Sequence, residues 1–461
     1  METIFKKKLS QEEVLFLCIQ IVPYIFYIYL IQIELGNNTA PDSFRYLWEF
    51  EKASSLAYFL NSSLSVRAIY TFAQNNIILI SQIQLAFIAA VQLSFYSYFK
   101  NKERFHNIIL ATTLTLLFSS HHSKWLVNIA MSDSLFTSFN FLFLITICYI
   151  SKANKPWQKI IILLIAVFFI LSRNPAPYVV AFTVLLLFAL KSFQDKLPVT
   201  LLAVIVCFSI LSIKITNKFD TSTELNAAQN ILLKVLPDKE KVQVFHEQYG
   251  MPLGTYVETC SGGTVNSLCF NYQRIQSGST YTRNYRVTID DFYFADWIRD
   301  KGMKSWQHYI FIQNPKESLQ SFVRGYKSKF NSLFQKPPYV FQGEKYRTLP
   351  DVMDPFVFLG KLYLFLHIDN IYSLLAIIFF SLLLYCTSNF KKEFLLITIM
   401  LAEGLALFFI GFFGDTSAPR QVYPGLFTLY LGQLLFLYYT GKIIISNTYC
   451  YLTDKLCLVK L

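Results

Sequence analysis

The sequence predicts an all-α polytopic membrane protein with about ten transmembrane helices, and three observations carry that expectation. Apolar residues make up 54% of the 461-residue chain and charged residues only 15%, against roughly 25% charged in an ordinary soluble domain. Long apolar stretches recur from end to end, which is more apolar material than one buried core of this size needs. The lysines and arginines punctuate those stretches instead of forming one basic face, so a formal charge of +12 does not make a nucleic-acid-binding surface.

The stretches cover residues 14–33, 77–99, 108–118, 134–150, 160–171, 178–190, 199–215, 371–384, 394–413 and 422–439. Several fall short of the roughly 20 residues of a perpendicular span, so their ends draw on flanking polar residues such as Ser119, Ser120 and Ser172. The first follows Lys6, Lys7 and Lys8 and is not followed by a small-residue cleavage site, which predicts a retained helix and not a signal peptide. Every second connection is basic: Lys100, Lys102 and Arg104; Lys152, Lys155 and Lys159; Lys191 and Lys196; Lys391 and Lys392. Cytoplasmic loops carry the Lys and Arg excess, so these connections and the N-terminus are assigned inside, and 34–76, 119–133, 172–177, 216–370 and 414–421 outside.

This layout gives four regions: a membrane module over 1–216 with the outside loop 34–76, an extracytoplasmic loop domain over 217–352, membrane helices over 353–440, and a cytoplasmic tail over 441–461. Residues 353–368 are expected at the interface or re-entrant. Pro355 and Lys361 interrupt that segment, and a further span would put Lys391 and Lys392 outside. In the first loop, Phe44, Leu47, Trp48 and Leu56 fall near one helical face, the pattern of an interfacial amphipathic helix. In the large loop, Cys260 and Cys269 flank an eight-residue polar segment. In an oxidising compartment they close a short disulfide loop; the alternative is two unpaired thiols. The other cysteines lie in or beside apolar runs, or in the tail, without metal-ligand spacing.

The chain has no glycine-rich phosphate loop, no dinucleotide fingerprint, no His-Glu-x-x-His and no Gly-x-Ser-x-Gly elbow. What it does have is a set of ionisable residues in the outside connections, close to membrane ends: Asp42 and Arg45; His121, His122, Lys124 and Asp133; Arg173; Asp415 and Arg420. Such groups are expensive at that depth and often functional. A bundle would bring them to one rim with carboxylates beside cations, which suits a reaction that needs a base and releases an anion.

Four of these connections carry a family resemblance. Asp42-Ser-Phe-Arg-Tyr-Leu resembles the Asp-Glu/Ser-x-x-Tyr motif of polytopic glycosyltransferases with the GT-C fold, the group that includes protein O-mannosyltransferases and lipid A aminoarabinose transferases. Met131-Ser-Asp-Ser-Leu-Phe is similar to the family's acidic residue followed by Ser-Leu-Phe. Ser172-Arg-Asn-Pro resembles its Arg-Pro turn, and Gly414-Asp-Thr-Ser-Ala-Pro-Arg resembles an outside Arg-containing turn of bacterial members. A weaker echo, Gln313-Asn-Pro-Lys-Glu-Ser-Leu, resembles a Pro-containing helix before a later span.

The resemblance implies a GT-C-like fold and an inverting transfer of sugar from a polyprenyl-phosphate donor to a glycan, lipid or protein acceptor on the extracytoplasmic face. It also implies a multi-pass protein of a bacterial inner membrane, with an endoplasmic reticulum membrane as runner-up. Asp42 matches the catalytic base position, and Arg420, Arg173 and Lys124 are the candidates for the leaving phosphate. Arg45, His121, His122, Asp133 and Asp415 complete the substrate-binding set. No cofactor is required, and a divalent metal stays open, since Ser43 stands where relatives often carry a second acid.

Each residue also has a structural reading. Asp42 and Asp133 suit helix N-caps, Arg45 suits an i,i+3 pair with Asp42, and Asp415 suits a pair with Arg420. His121 and His122 suit solvated interfacial positions, and Arg173 and Arg420 suit snorkelling to headgroups. Two other functions compete. A polysaccharide polymerase or ligase would rely on the large loop's His246, His308, Arg274, Arg283 and Arg286. A transporter would show inverted repeats and broken helices near the midplane.

Overall fold

The computed structural model of the chain describes residues 64–100, 104–118, 132–150, 155–191, 198–219, 227–262, 291–332, 368–414 and 419–458. Among these residues every regular element is a helix and there is no strand. The apolar elements are α1 (Leu64–Phe72), α2 (Ile77–Phe99), α3 (Arg104–Phe118), α4 (Ser132–Cys148), α5 (Pro156–Ile170), α6 (Ala176–Lys191) and α7 (Val199–Phe219). Short helices α8 (Lys239–Tyr249), α9 (Thr255–Cys260), α10 (Phe292–Trp297) and α11 (Met303–His308) follow, then α12 (Pro315–Ser332). The chain closes with α13 (Ile371–Thr387), α14 (Lys391–Gly414) and α15 (Pro419–Leu458).

Each apolar stretch that falls among the described residues is helical, with ends set by local chemistry. Asn76 caps α2 by accepting from the amides of Ile78 and Leu79. Such a cap satisfies donors that a helix start otherwise leaves bare. Pro156 opens α5, where its missing N–H removes no helical bond, and Gln158 reaches back to the Lys155 amide. The last stretch continues beyond residue 439, since α15 runs on to Leu458. The expected first span at 14–33, the interfacial helix of the first loop and the 353–367 segment lie outside the described residues.

The chain is a helical membrane protein. Three helical segments, Ile77–Phe99, Lys391–Phe413 and Val422–Ile445, are long and apolar enough to cross a bilayer, and five shorter helices are apolar as well. Their outward faces are apolar too: Leu185, Leu211 and Phe379 are more than half exposed. Water penalises such a face and hydrocarbon does not. Within the three segments burial differs, at 33% for Ile77–Phe99 and 72% for Lys391–Phe413, so the latter is packed on most sides by protein.

The chain divides into two compact units. Unit 1 is Met1–Thr216, Tyr326–Phe408 and Val422–Leu461; unit 2 is Asn217–Gly325 with Phe409–Gln421. In unit 1 helix ends that adjoin the basic connections gather together. Tyr98 at the end of α2 donates to the Lys392 carbonyl at 2.8 Å, and the Lys392 ammonium bonds back to the Tyr98 carbonyl and lies 4.4 Å from its ring centre. Tyr149, just past α4, faces the same ammonium at 5.9 Å. Tyr385 near the end of α13 donates to Leu190 O at 3.3 Å. Tyr439 donates to Phe99 O, also at 3.3 Å. These contacts bring together the ends of α2, α4, α6 and α13 with the start of α14.

Unit 2 is built around aromatic side chains. Phe245, Phe294 and Met251 are fully buried, and the Trp297 indole donates to Tyr249 O at 2.9 Å. Asp238 caps α8 at its start, and Gly250, at φ +65°, ends it in a left-handed turn that side chains rarely adopt. Residues 292–313 form one helical run in which the π turns Ile298–Gly302 and Tyr309–Gln313 flank α11.

Candidate functional site

At the end of unit 1 opposite the basic connections, two of the sequence-predicted residues meet. Asp133 lies in the first turn of α4, where the helix dipole favours a carboxylate. Arg173 lies in the tight turn from α5 to α6. That reversal is held by Ser172 Oγ donating to Phe169 O at 2.6 Å and by the Ala176 amide donating to Arg173 O at 3.0 Å. Arg173 Nη1 donates to Asp133 Oδ1 at 2.5 Å. The guanidinium also stands 5.5 Å from the ring centre of Phe136, one turn along α4. Phe136 and Phe143 pack on Phe169 at centroid distances of 5.4 and 5.6 Å, which brings the start of α4 against the end of α5.

The pair is unequal in burial: the Asp133 side chain is 3% exposed and that of Arg173 18%. Among the described residues Asp133 engages one guanidinium nitrogen of Arg173. The carboxylate thus ties the Arg173 turn to the start of α4.

A third connection reaches the same place. The Ser65 amide at the start of α1 donates to Leu171 O at 3.1 Å, and Ser65 Oγ donates to Phe168 O at 2.8 Å. Tyr70 accepts from Gln84 Nε2 at 2.8 Å, which ties α1 to α2. Ser65, within the first loop, is thus bonded two residues before Arg173.

Asp42, Arg45, His121, His122, Lys124 and Asp415 lie outside the described residues. Arg420 falls in the first turn of α15, and its side chain lies outside them as well. Cys260, the last residue of α9, is disulfide-bonded; Cys269 lies outside the described residues. Of the residues a loop-centred polymerase would use, His246 Nδ1 is bonded to Met251 O at 2.7 Å, and His308 Nδ1 lies 2.9 Å from the Tyr249 hydroxyl. Both imidazoles thus take part in the folding of unit 2. Arg274, Arg283 and Arg286 are not among the described residues. No group of three or more His, Cys, Asp or Glu side chains is placed to hold a metal ion among the described residues.

Sequence reasoning passed over Glu403. It is a fully buried acid in the middle of α14, and the signal was a lone carboxyl inside an apolar run. Comparison of the chain with models of protein families, with curated proteins and with solved structures finds no match.

Proposed function

We propose that the chain is an inverting glycosyltransferase that moves a sugar from a polyprenyl-phosphate donor to an acceptor on the extracytoplasmic face. In this reading the acceptor hydroxyl oxygen attacks the anomeric carbon and gives its proton to the Asp42 carboxylate. The bond from that carbon to the phosphate oxygen breaks, and the polyprenyl phosphate leaves with the electron pair. Its growing negative charge is met by fixed cations, with Arg173 held by Asp133 and with Lys124 and Arg420 as further candidates.

The observation that carries the reading is the Asp133–Arg173 pair. The two residues belong to two separate motifs of the family resemblance, and they meet at the end of the bundle away from the lysine-rich connections. The hydrogen bonds from Ser65 to the α5–α6 turn add support, because the Asp42 loop leads into α1. The positive-inside pattern then puts this rim outside the cytoplasm.

The test is transfer of labelled sugar from a panel of polyprenyl-phosphate sugars by purified protein in nanodiscs. Asp42→Asn, at equal folding, is expected to lose about 10²- to 10⁴-fold in rate while still binding the lipid donor. Absence of transfer from every lipid donor, or equal rates with Asn at position 42, would sink the reading.

A further inference from the structure

Unit 1 contains a second polar cluster, deeper than the rim and unused by it. Glu403 lies midway along α14. Thr183 Oγ1, from α6, donates to Glu403 Oε2 at 2.8 Å. Asn140, from α4, also hydrogen-bonds this carboxyl through its side chain. Its Nδ2 donates to Thr428 Oγ1 of α15 at 3.3 Å, and that hydroxyl donates onward to Pro424 O at 2.8 Å. All four side chains are fully buried. Four helices thus bring their polar groups to one point of an otherwise apolar interior.

Two acceptor oxygens of the cluster lack a donor among the described residues. Glu403 Oε1 and Asn140 Oδ1 accept no hydrogen bond from any described residue. Among the described residues, no Lys, Arg or His forms an ion pair with Glu403. Two buried acceptor oxygens without a donor, one on a carboxyl group, call for a species that both can hold. The donor set is carboxylate, amide oxygen and hydroxyl, all hard oxygen ligands. One carboxylate balances one positive charge, whereas a divalent ion would leave a net charge in the bilayer interior.

We propose that Glu403 and Asn140, oriented by Thr183 and Thr428, form a binding site for one sodium-class monovalent cation inside the helix bundle. The ion sits between the two unsatisfied oxygens and links α4 to α14. Asn140 is seven residues from Asp133 on α4, about 10 Å along the helix. The site is therefore separate from the rim, and the inference does not depend on what the rim transfers.

The experiment uses the full chain in nanodiscs at constant ionic strength, with sodium chloride replacing choline chloride. The expected result is a saturable rise in Tm with sodium, by the linkage between ion binding and folding, together with one bound ²²Na⁺ per chain. Glu403→Gln and the milder Asn140→Ala are expected to lose both signals. If Glu403→Gln does not fold, Asn140→Ala and Thr183→Val carry the comparison, and the unaltered chain remains a test by itself. Identical melting in sodium and choline overturns the proposal. So does a Tm that responds to pH but not to sodium, which makes a proton the occupant, or a sodium response that survives in both variants.

Discussion

Lys241 of unit 2 shows how one pair sets a pH dependence. Burial alone would lower its ammonium below the ordinary 10.5, but the Glu317 carboxylate, 3.1 Å away, reverses this, and the net direction is upward. Burial also raises the neighbouring phenols Tyr249 and Tyr309 above 10.0. All three groups hold their protons more tightly folded than unfolded. Their contribution is therefore complete below the ordinary values and is lost as pH rises through the higher folded ones. Unit 2 should become easier to melt above about pH 10, and Lys241→Gln should flatten part of that decline. Both partners are partly solvated, so the Lys241 share amounts to about 1 kcal/mol or less. Melting curves between pH 8 and 11.5 check it; a stability that climbs over this range would contradict the assignment. At the rim, the same kind of reasoning separates identity from partnership. Asp133 and Arg173 were legible as candidates because each is a charged residue at the end of an apolar run. That they pair with each other, forty positions apart, was not legible, since nothing local to either residue names its partner.

At the scale of elements, the crossing of α14 and α15 is closed by glycines. A Cβ built on Gly425 would lie 2.6 Å from the Phe408 amide nitrogen and 2.8 Å from Gly404 O. Backbone stands on the far side in both cases, so no side chain can swing away. Close backbone approach through small residues is how membrane helices pack without a hydrophobic driving force between them. Gly425→Ala should therefore destabilise the chain by about 1–3 kcal/mol, read as a lower Tm in detergent. Gly441, with nothing within 4 Å of the position its Cβ would occupy, is the control that should change little. Equal Tm values for the two variants would show that the crossing tolerates a methyl group. The elements themselves were largely legible: 77–99 was expected and is observed to the residue, because a mainly apolar run without charge, Gly or Pro lies between a capping Asn76 and a basic connection. Ends were less legible where polarity changes gradually, as in α15, which keeps helical geometry for nineteen residues after Tyr439.

For the whole molecule, the decisive quantity is which connections share an end. The contacts among Tyr98, Lys392 and Tyr149 join the ends of helices next to lysine-bearing connections, while the Asp133–Arg173 pair and Ser65 join three of the connections expected outside. With basic loops retained in the cytoplasm, a cysteine placed at Ser123 should react with a membrane-impermeant maleimide in intact cells. One placed at Ala153 should react only after lysis, both in a background without reactive native thiols. Labelling of both sites in intact cells would break the alternation on which the outside rim depends.

By itself the sequence determined the class of the molecule, since long apolar runs separated by polar or basic connections leave helices in a bilayer as the only arrangement that satisfies the backbone. It also sets an expectation for the side of each connection, carried by the lysines and arginines next to the runs. Only the tertiary structure decided who meets whom: Arg173 with Asp133, Ser65 with Leu171, and Glu403 with Thr183 and Asn140. Side chains in a helix declare their own polarity within a turn or two, but a partner on another helix is chosen by how the helices pack. That packing follows from close-fitting shapes, such as the glycine crossing of α14 and α15, which no local stretch of sequence records.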